Sequence, residues 1–307
     1  MSGAAQERTS ETPEGLTSSV PASTGDLTDD APWDLVIDAR PSFPAVEIRE
    51  IWRYRDLLLL FVHRDIVSFY KQTILGPLWF LIQPIFTMLI YVLVFGQIAG
   101  LSTEGAPQVL FYLCGITFWN YFSECFNKTA TVFRDNANLF GKVYFPRILV
   151  PLSIVISNLL RFVIQFGLFL CFWAWYAADG QVHATWAVLS IPVLLLLMAS
   201  LGLGLGMLFS AMTTKYRDLV FLLQFGVQLL MYATPVIYPM SQIPSRFAKM
   251  LAWNPLAPIF EIARHAFLGV GQFDAWMLGY SVLFSVVLLV VSAFIFHRVE
   301  RTFMDTV

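Results

Sequence analysis

The length of its apolar stretches is what most constrains the fold of this chain. A helix needs about 20 mostly apolar residues to cross the hydrocarbon core of a membrane, and six segments reach that length. They run over 75–99, 109–133, 148–178, 186–212, 219–238 and 276–296. Of the 307 residues, 57% are hydrophobic and only 13% are charged, which excludes an ordinary soluble domain. The sequence therefore predicts an all-α integral membrane protein with six transmembrane helices in a domain spanning 75–296.

The first 42 residues form a separate compositional zone. Ser, Thr, Pro, Asp and Glu are frequent there, and such a segment cannot bury enough apolar surface to offset its loss of chain entropy. We expect a disordered polar tail over 1–42, which lacks the basic start and apolar core of a cleavable signal peptide. Residues 297–307, after the last span, are expected to form a short cytoplasmic tail.

Basic residues in the short loops predict the orientation of the spans, because Lys and Arg are enriched in cytoplasmic loops. The loops between the second and third spans and between the fourth and fifth spans are basic, whereas 100–108 and 179–185 contain no Lys or Arg. The long loop at 239–275 contains Arg246, Lys249 and Arg264. Both termini are therefore predicted to be cytoplasmic. The net charge of −2 excludes the strong basic excess that is typical of nucleic-acid binding proteins.

Residues 46–71 are predicted to form an amphipathic helix in the cytoplasmic interface of the membrane. When side chains are spaced at about 100° around a helix, apolar and basic residues separate onto opposite faces. The apolar face carries Ile51, Trp52, Leu58, Leu59, Val62, Ile66, Phe69 and Tyr70, and the basic face carries Arg49, Arg53, Arg64 and Lys71. A solvated start to the first span is the alternative interpretation. Arg53, Arg55 and Lys71 are candidates for contact with a lipid diphosphate, although membrane topology alone also explains them.

The loop after the fifth span is too long to be a simple connection. Asn254-Pro255 is typical of a helix start, with Asn as the cap and Pro in the first turn, and Glu261 and Arg264 share one face of the helix that follows. With a short apolar piece before it, this pattern predicts two short re-entrant or gate helices over 242–268 at the outer surface. An inert hairpin is the alternative. The candidate gate residues are Pro244, Asn254, Pro255, Glu261 and Arg264.

Ionisable side chains are rare within the predicted spans, and each is a candidate functional residue because an intramembrane charge is costly. Glu124 and Lys128 lie in the second span and Arg161 lies in the third. Glu124 and Arg161 fall at similar depth when about 1.5 Å is counted per helical residue, so we predict that they pair. Such a pair either has a role in transport or only holds two helices in register.

The second span also contains a run of aromatic residues. It comprises Phe118, Trp119, Tyr121 and Phe122. Because sugar rings stack on aromatic faces, these four side chains are candidates, with Glu124 and Arg161, for lining a channel or contacting a substrate. Packing within the protein is the alternative, because a continuous run on a helix points in several directions.

Signatures of catalysis do not occur in this sequence. It has no P-loop, no zinc-protease motif and no nucleophile elbow. The Gly-x-Gly-x-Gly run at 202–206 lies inside an apolar helix, so it predicts close helix packing instead of a dinucleotide fold. Cys114, Cys125 and Cys171 match no disulfide or metal-site spacing. We therefore expect no enzyme activity, no metal site and no resident cofactor in this chain.

Short motifs in a fixed order resemble the transmembrane subunit of bacterial ABC exporters of polysaccharide. The set covers 46–307 and comprises Lys71–Trp79 (KQTILGPLW), Gln83-Pro84, Phe133–Leu139 (FRDNANL), Pro146-Arg147, Tyr216–Asp218 (YRD), Tyr238-Pro239, Asn254-Pro255 and the charged tail Glu300-Arg301. The set is specific as a whole, although no single motif is decisive. O-antigen exporters are the most similar members, with teichoic acid and capsule exporters as relatives. The polar tail at 1–42 is not part of the pattern.

The resemblance implies a permease driven by a partner. Two copies of the subunit would form the pore in the cytoplasmic (inner) membrane, and two copies of a separate cytoplasmic ABC ATPase would bind ATP and Mg²⁺ beneath it. The loop 134–146 would couple the two proteins, braced by the helix at 46–71, and 242–268 would be the external gate. The coupling residues would be Arg134, Asp135, Asn136, Asn138, Leu139 and Lys142. The implied substrate is an undecaprenyl diphosphate-linked glycan made on the cytoplasmic side of the membrane.

Two other classes of function are weaker alternatives. A secondary transporter would need internal repeats and broken helices around polar groups at the membrane midplane. An intramembrane glycosyl or acyl transferase would need a cluster of His or carboxylate side chains at one interface. Either protein would act alone, so co-purification of an ATPase separates both from an exporter subunit.

Overall fold

The computed structural model describes residues 48–71, 74–140, 142, 145–216, 218–244, 246–247, 251 and 253–304. Within these ranges the secondary structure is helical, without a strand, which confirms the predicted all-α class. The predicted polar tail at 1–42 and most of the first short gate helix lie outside the described residues.

Helices joined by short turns make up most of the described chain. They are α1 (Ile48–Arg53), α2 (Arg55–Lys71), α3 (Trp79–Tyr91), α4 (Gln108–Ala130), α5 (Val132–Asp135), α6 (Ala137–Phe140), α7 (Leu149–Ala178), α8 (Ile191–Lys215), α9 (Leu219–Tyr232), α10 (Ala257–Leu268) and α11 (Ala275–Met304). A 3₁₀ turn at Gly76–Leu78 precedes α3, and a π-helical segment at Val92–Ile98 continues it. A further 3₁₀ turn at Trp186–Ser190 precedes α8, and another at Met240–Gln242 follows α9.

Four helical segments are long and apolar enough to cross a membrane. They are Gly76–Ile98, Leu149–Ala178, Trp186–Lys215 and Ala275–Val299. These segments coincide with the first, third, fourth and sixth predicted spans. The chain is therefore a multi-pass membrane protein.

The second and fifth predicted spans differ from these four. α4 has 23 residues and carries Glu124 and Lys128, and it is buried along nearly its whole length, so protein surrounds it. α9 has 14 residues, about 21 Å at about 1.5 Å per residue, which is short for a hydrocarbon core of about 30 Å. The predicted helix over 219–238 is wrong in its last part. Residues 233–238 form turns, because Pro235 lacks the backbone N–H that a continuing helix would use.

α4 is the central helix of the bundle, and glycines of α8 let the two backbones approach each other. A Cβ on Gly202 would lie 2.9 Å from Cys125 Cβ, and a Cβ on Gly206 would lie 2.5 Å from Thr129 Cβ. Neither distance leaves room for a methyl group. Gly204 faces α11 instead, where a Cβ would lie 2.9 Å from a leucine side chain. The glycine run therefore provides close helix packing, as its place in an apolar helix predicted.

An aromatic cluster closes one end of the bundle, here called the basic end. The rings of Phe133 and Phe296 stack at 4.7 Å between centroids, and Phe61 of α2 meets Phe145 at 5.4 Å. The cluster joins α2, α5, α6 and α11 into one apolar unit. Exposed basic residues in the loops of this end are Arg134, Lys142 and Lys215.

The opposite end, here called the acidic end, is formed by other loops. These loops are 99–107, 179–185 and 269–274. Their acidic residues are Glu104, Asp179 and Asp274, and these three loops contain no Lys or Arg, whereas the loop after α9 contains Arg246 and Lys249. The contrast between the two ends is the charge pattern on which the predicted orientation depends.

The protein contacts only part of the predicted apolar face of the interface helix, where Val62 is 9% exposed and Ile51 and Leu58 pack against the aromatic cluster. Phe61 is only 5% exposed, whereas Trp52 and Leu59 are 69% and 63% exposed. The difference has two causes. The helix is interrupted at Tyr54, so its two parts do not share one wheel, and α7 covers one side of α2. The side chains at 69–70 lie outside the described residues.

Cysteine labelling tests the orientation, in a background without the exposed Cys171. We expect an impermeant maleimide to label Ser102→Cys and Gln181→Cys in cells with an intact inner membrane, because both side chains are exposed at the acidic end. Asn138→Cys and Lys215→Cys, exposed at the basic end, should react only after lysis. Labelling of either basic-end cysteine in intact cells would contradict the orientation.

The close contact of α4 with α8 predicts that Gly206→Ala lowers the amount of folded protein. The new methyl group would lie 2.5 Å from Thr129 Cβ, and such overpacking costs about 1–3 kcal/mol. Gly226→Ala on α9 is the matched control, because nothing lies within 4 Å of a Cβ there. Size-exclusion profiles and melting temperatures of the purified variants provide the measurement. Equal stability of the two variants would show that the α4–α8 contact tolerates a methyl group.

Candidate functional site

The predicted pair of Glu124 and Arg161 is present in the structure. Arg161 Nη1 lies 2.5 Å from Glu124 Oε1, and Lys128 Nζ lies 3.4 Å from Glu124 Oε2. Arg161 Nη2 also donates a hydrogen bond of 3.0 Å to Gln83 Oε1. These contacts join α3, α4 and α7 through one group of charges.

Further amide side chains extend this group along α4 and α7. Lys128 Nζ donates to Asn158 Oδ1 at 3.3 Å, and Asn120 Nδ2 donates to Gln165 Oε1 at 3.2 Å. We call the whole set the polar seam. Its members are Gln83, Asn120, Glu124, Lys128, Asn158, Arg161 and Gln165. The charged side chains in it are 13–36% exposed, so the seam reaches the surface of the protomer.

The sequence contains a signal for the polar seam that charged residues alone do not reveal. Asn120, Glu124 and Lys128 are spaced by four residues, and Arg161 and Gln165 are also four apart, so each set lies on one face of its helix. Counting polar residues at this spacing would have identified the amides. Gln83 carries no such signal, because only the packing of α3 brings it to Arg161.

The aromatic run of α4 does not line a channel in this structure. Phe118, Trp119, Tyr121 and Phe122 are 1%, 6%, 4% and 0% exposed, and they belong to the main apolar core. The prediction that they line a channel is therefore corrected. The physical reason is that α4 is enclosed by its neighbours, so its aromatic side chains fill the space between helices.

The predicted coupling residues lie in or beside the short helices α5 and α6 at the basic end. Thr131 Oγ1 donates a hydrogen bond of 2.6 Å to Asp135 Oδ2, which joins α5 directly to the end of α4. Asn136 Nδ2 donates to a backbone oxygen of α5 at 3.0 Å, and Leu139 packs against the aromatic cluster. The exposed polar side chains left for a partner are Arg134, Asp135, Asn138 and Lys142.

A polar cavity lies between α2, the end of α4 and α7. Its polar lining comprises Arg64, Asp65, Ser68, Lys128, Asp135, Asn136, Ser157 and Asn158. Arg64 Nη2 lies 2.8 Å from Asp65 Oδ1. Arg53, Arg55 and Lys71 are exposed elsewhere on α1 and α2, so Arg64 is the basic side chain that the interface helix contributes here.

At the acidic end, Arg264 of α10 is buried and contacts several elements through its two terminal nitrogens and its planar face. It is 1% exposed, and its Nη2 donates to Val236 O at 2.7 Å. Its Nη1 donates to Tyr238 O at 3.2 Å and lies 3.5 Å from Glu261 Oε1. The guanidinium also lies 3.7 Å from the ring centroid of Phe111 on α4. Arg264 therefore anchors the turn after α9 to both α10 and α4.

Burial shifts the pKa values of Glu261 and Arg264 in opposite directions. Desolvation raises the pKa of the Glu261 carboxyl and lowers the pKa of the Arg264 guanidinium. The charge of each partner opposes the shift of the other. Glu261 Oε1 also accepts a hydrogen bond of 3.2 Å from the N–H of Met240, which favours the charged carboxylate.

The helix predicted after Asn254-Pro255 is confirmed as α10, but it is not a surface helix. Asn254 Oδ1 accepts a hydrogen bond of 3.0 Å from the N–H of Leu256, and Asn254 Nδ2 donates to Thr234 Oγ1 at 2.9 Å. All but one of the side chains of α10 are buried, because α4, α8 and the 186–190 turn surround it. Pro244 is exposed in the loop before it.

Comparison with known proteins identifies the family. A profile described as ABC-2 type transporter matches residues 56–268, which is more than half of the chain. The chain belongs to the ABC-2 type transporter family. The O-antigen export system permease protein RfbA of Myxococcus xanthus is 32% identical over 262 residues, which cover 85% of this chain and 98% of the relative.

Two further relatives of this ABC-2 permease carry related names. An O-antigen export system permease protein RfbA of Klebsiella pneumoniae is 26% identical over 81% of this chain and 94% of the relative. The polysialic acid transport protein KpsM of Escherichia coli is 23% identical over 79% of this chain and 93% of the relative. The chain is thus a transporter subunit and not an enzyme, and it associates with a cytoplasmic ABC ATPase.

The polar seam predicts energetic coupling between Glu124 and Arg161. Glu124→Gln or Arg161→Gln should each lower stability by about 1–3 kcal/mol, between the values for exposed and buried pairs, because each leaves a charge without its partner. The double variant Glu124→Gln with Arg161→Gln should lose less stability than the sum of the losses in the two single variants. We prefer this double variant to a charge swap, because Glu124→Arg would place an Arg beside Lys128.

A double-mutant cycle on melting of the purified permease measures this coupling. We expect a coupling energy above about 0.5 kcal/mol. Lys128→Gln is the internal control and should cost less, because Lys128 is 36% exposed and lies 3.4 Å from Glu124. Strictly additive effects of the two main substitutions would show that the contact contributes nothing.

Proposed function

We propose that this permease is the transmembrane subunit of an ABC exporter that moves a lipid-linked polysaccharide of the O-antigen class across the cytoplasmic membrane. The substrate would be an undecaprenyl diphosphate-linked glycan. The energy comes from ATP, which the partner ATPase binds with Mg²⁺. The relatives named as O-antigen export permeases support this proposal, since they align over at least 94% of their own length. KpsM supports the capsule exporter as the second candidate.

The observation that carries the proposal is the partly exposed polar seam. Glu124 and Arg161 are 30% and 13% exposed in one protomer; Arg161 lies on the apolar segment Leu149–Ala178, and Glu124 lies on α4, which packs against it. Charge that faces lipid is costly, and such groups face protein or a water-filled cavity. We infer that two copies of the permease face each other across the seam and that a hydrated glycan passes between them.

The orientation follows from the charge contrast between the two ends. The basic end would face the cytoplasm and the acidic end the outside, in agreement with the positive-inside rule. Both termini would be cytoplasmic. The ATPase would then dock on α5 and α6, where Arg134, Asn138 and Lys142 are exposed.

The interface helix would receive the lipid carrier. Arg53, Arg55 and Lys71 are exposed on α1 and α2, and Arg64 lines the polar cavity beside α7. Diphosphates bind well to such charge-assisted donors. At the opposite end, α10 and the loops at 242–268 would form the external gate, with Glu261 and Arg264 as its anchor.

Deletion of the gene that encodes this permease tests the proposed substrate. Cells that lack the permease should keep the lipid-linked glycan on the cytoplasmic side and lose it from the surface. Immunoblots of surface polysaccharide and mass spectrometry of undecaprenyl-linked lipids measure both effects. Loss of a capsule polymer with normal O-antigen would select the capsule exporter instead.

The proposed docking surface predicts that Arg134→Ala lowers both export and recovery of the ATPase with the permease. The permease itself should remain folded, because the side chain is 42% exposed and exposed residues contribute little to stability. Lys215→Ala, in the other loop of the basic end, is the matched control. Quantified co-purification from membranes measures the effect. An unchanged ATPase yield with Arg134→Ala would remove this residue from the contact.

Asp135→Ala needs its own control, because the carboxylate also accepts a hydrogen bond from Thr131. Thr131→Val removes that internal bond and keeps the charge. If Asp135 contacts the ATPase, only Asp135→Ala should reduce co-purification. Equal losses in both variants would assign Asp135 to the internal structure of the loop.

A further inference from the structure

The loop between α3 and α4 at the acidic end contains an unusual backbone conformation at Glu104. Its φ is +57°, a positive value that no other non-glycine residue adopts in the part of the chain that the structure describes. The left-handed region is unfavourable for residues with a Cβ. A hydrogen bond of 3.1 Å from the Glu104 N–H to Ser102 Oγ supports the turn. A strained residue persists only where its surroundings hold it, and here the side chain supplies the contacts.

The carboxylate of Glu104 joins three separate loops. Its Oε1 accepts a hydrogen bond from the hydroxyl of Ser241, in the 3₁₀ turn after α9. Its Oε2 accepts a hydrogen bond of 3.0 Å from the N–H of Gly271, in the loop between α10 and α11. We call these three residues the Glu104 clasp. The clasp ties the loop before α4 to the segments on both sides of α10.

The position of Gly271 is specific to this arrangement. Its φ is +84°, and a Cβ there would lie 2.9 Å from Glu261 Oε2 and 3.0 Å from Glu261 O. Glycine is therefore needed for the N–H to point at Glu104 while Glu261 lies behind it. Glu261 in turn accepts a hydrogen bond from the N–H of Met240, next to Ser241. The two carboxylates flank the same short turn.

The clasp differs physically from the Arg264 anchor beneath it. Arg264 is 1% exposed, whereas Ser241 is exposed and Glu104 is half-buried. Hydrogen bonds at the surface exchange with water at little net cost, whereas a buried charge cannot lose its partners without a large penalty. Of these two connections, the clasp is therefore the one that can open reversibly.

We propose that the Glu104 clasp is a releasable latch that keeps the external gate closed. The proposal rests on the proposed function, in which α10 and its flanking loops form that gate. Any movement of these loops relative to the start of α4 breaks the bonds from Ser241 and Gly271 to Glu104. Relief of the left-handed strain at Glu104 favours opening once these bonds are lost.

The first test is the leak of a small dye through the resting permease–ATPase complex in liposomes, which does not depend on the substrate. Glu104→Ala is expected to raise the leak rate about tenfold, the population change expected for loss of charge-assisted hydrogen bonds. Asp179→Ala is the matched control, because Asp179 is an exposed acidic residue of another loop at the same end. Its dye leak rate should equal that of the wild type. A folded Glu104→Ala complex as tight as the wild type overturns the proposal.

The second test locks the latch in a Cys171→Ser background. Glu104→Cys with Ser241→Cys is bridged by a short bis-methanethiosulfonate that a reductant removes. The bridged complex should not leak the dye and should not export polysaccharide, and reduction should restore export. Each single-cysteine variant treated with the same reagent should still export polysaccharide. Export by the bridged complex at the wild-type rate overturns the latch. Failure of the wild type to export polysaccharide would count against the proposed function, and the dye leak would still decide the latch.

Discussion

The cost of placing charge in hydrocarbon governs the arrangement of this protein. α4 carries Glu124 and Lys128, which would be costly against lipid, and α3, α7 and α8 enclose it. The enclosure is possible because Gly202 and Gly206 of α8 admit the α4 backbone at a distance that no larger residue allows. Arg161 then completes the charge pair from α7. The bundle is thus built around a largely apolar central helix that also carries charge.

The degree of burial separates the fixed polar contacts from those that can exchange. Arg264 is surrounded by two carbonyl oxygens, a carboxylate and a ring, so loss of its contacts would leave a buried charge without partners. Glu124 and Arg161 are partly exposed, and Glu104 lies at the surface of its loop. Water or a hydroxyl-rich substrate can replace the contacts of these partly exposed side chains. The proposed passage and latch use these exchangeable groups, and the anchor uses the buried one.

The basic end provides a short physical route from a partner to the bundle. Thr131 ends α4, and its hydroxyl binds Asp135 of α5, while Phe133 packs on Phe296 of α11. A displacement of α5 therefore acts directly on α4 and α11. In the proposed exporter, motion of the ATPase would reach the polar seam through α4, since the seam joins that helix to α3 and α7.

The sequence by itself determined the properties that depend on local order along the chain. The all-α class, the helix that follows Asn254-Pro255 and the depth that pairs Glu124 with Arg161 follow from apolar length, turn chemistry and the rise of a helix. The tertiary structure alone decided that 118–122 is buried, which face of α2 packs, and that Glu104 joins three loops. These features depend on which neighbour covers each surface. Residues far apart in sequence supply that neighbour, so no local pattern encodes it.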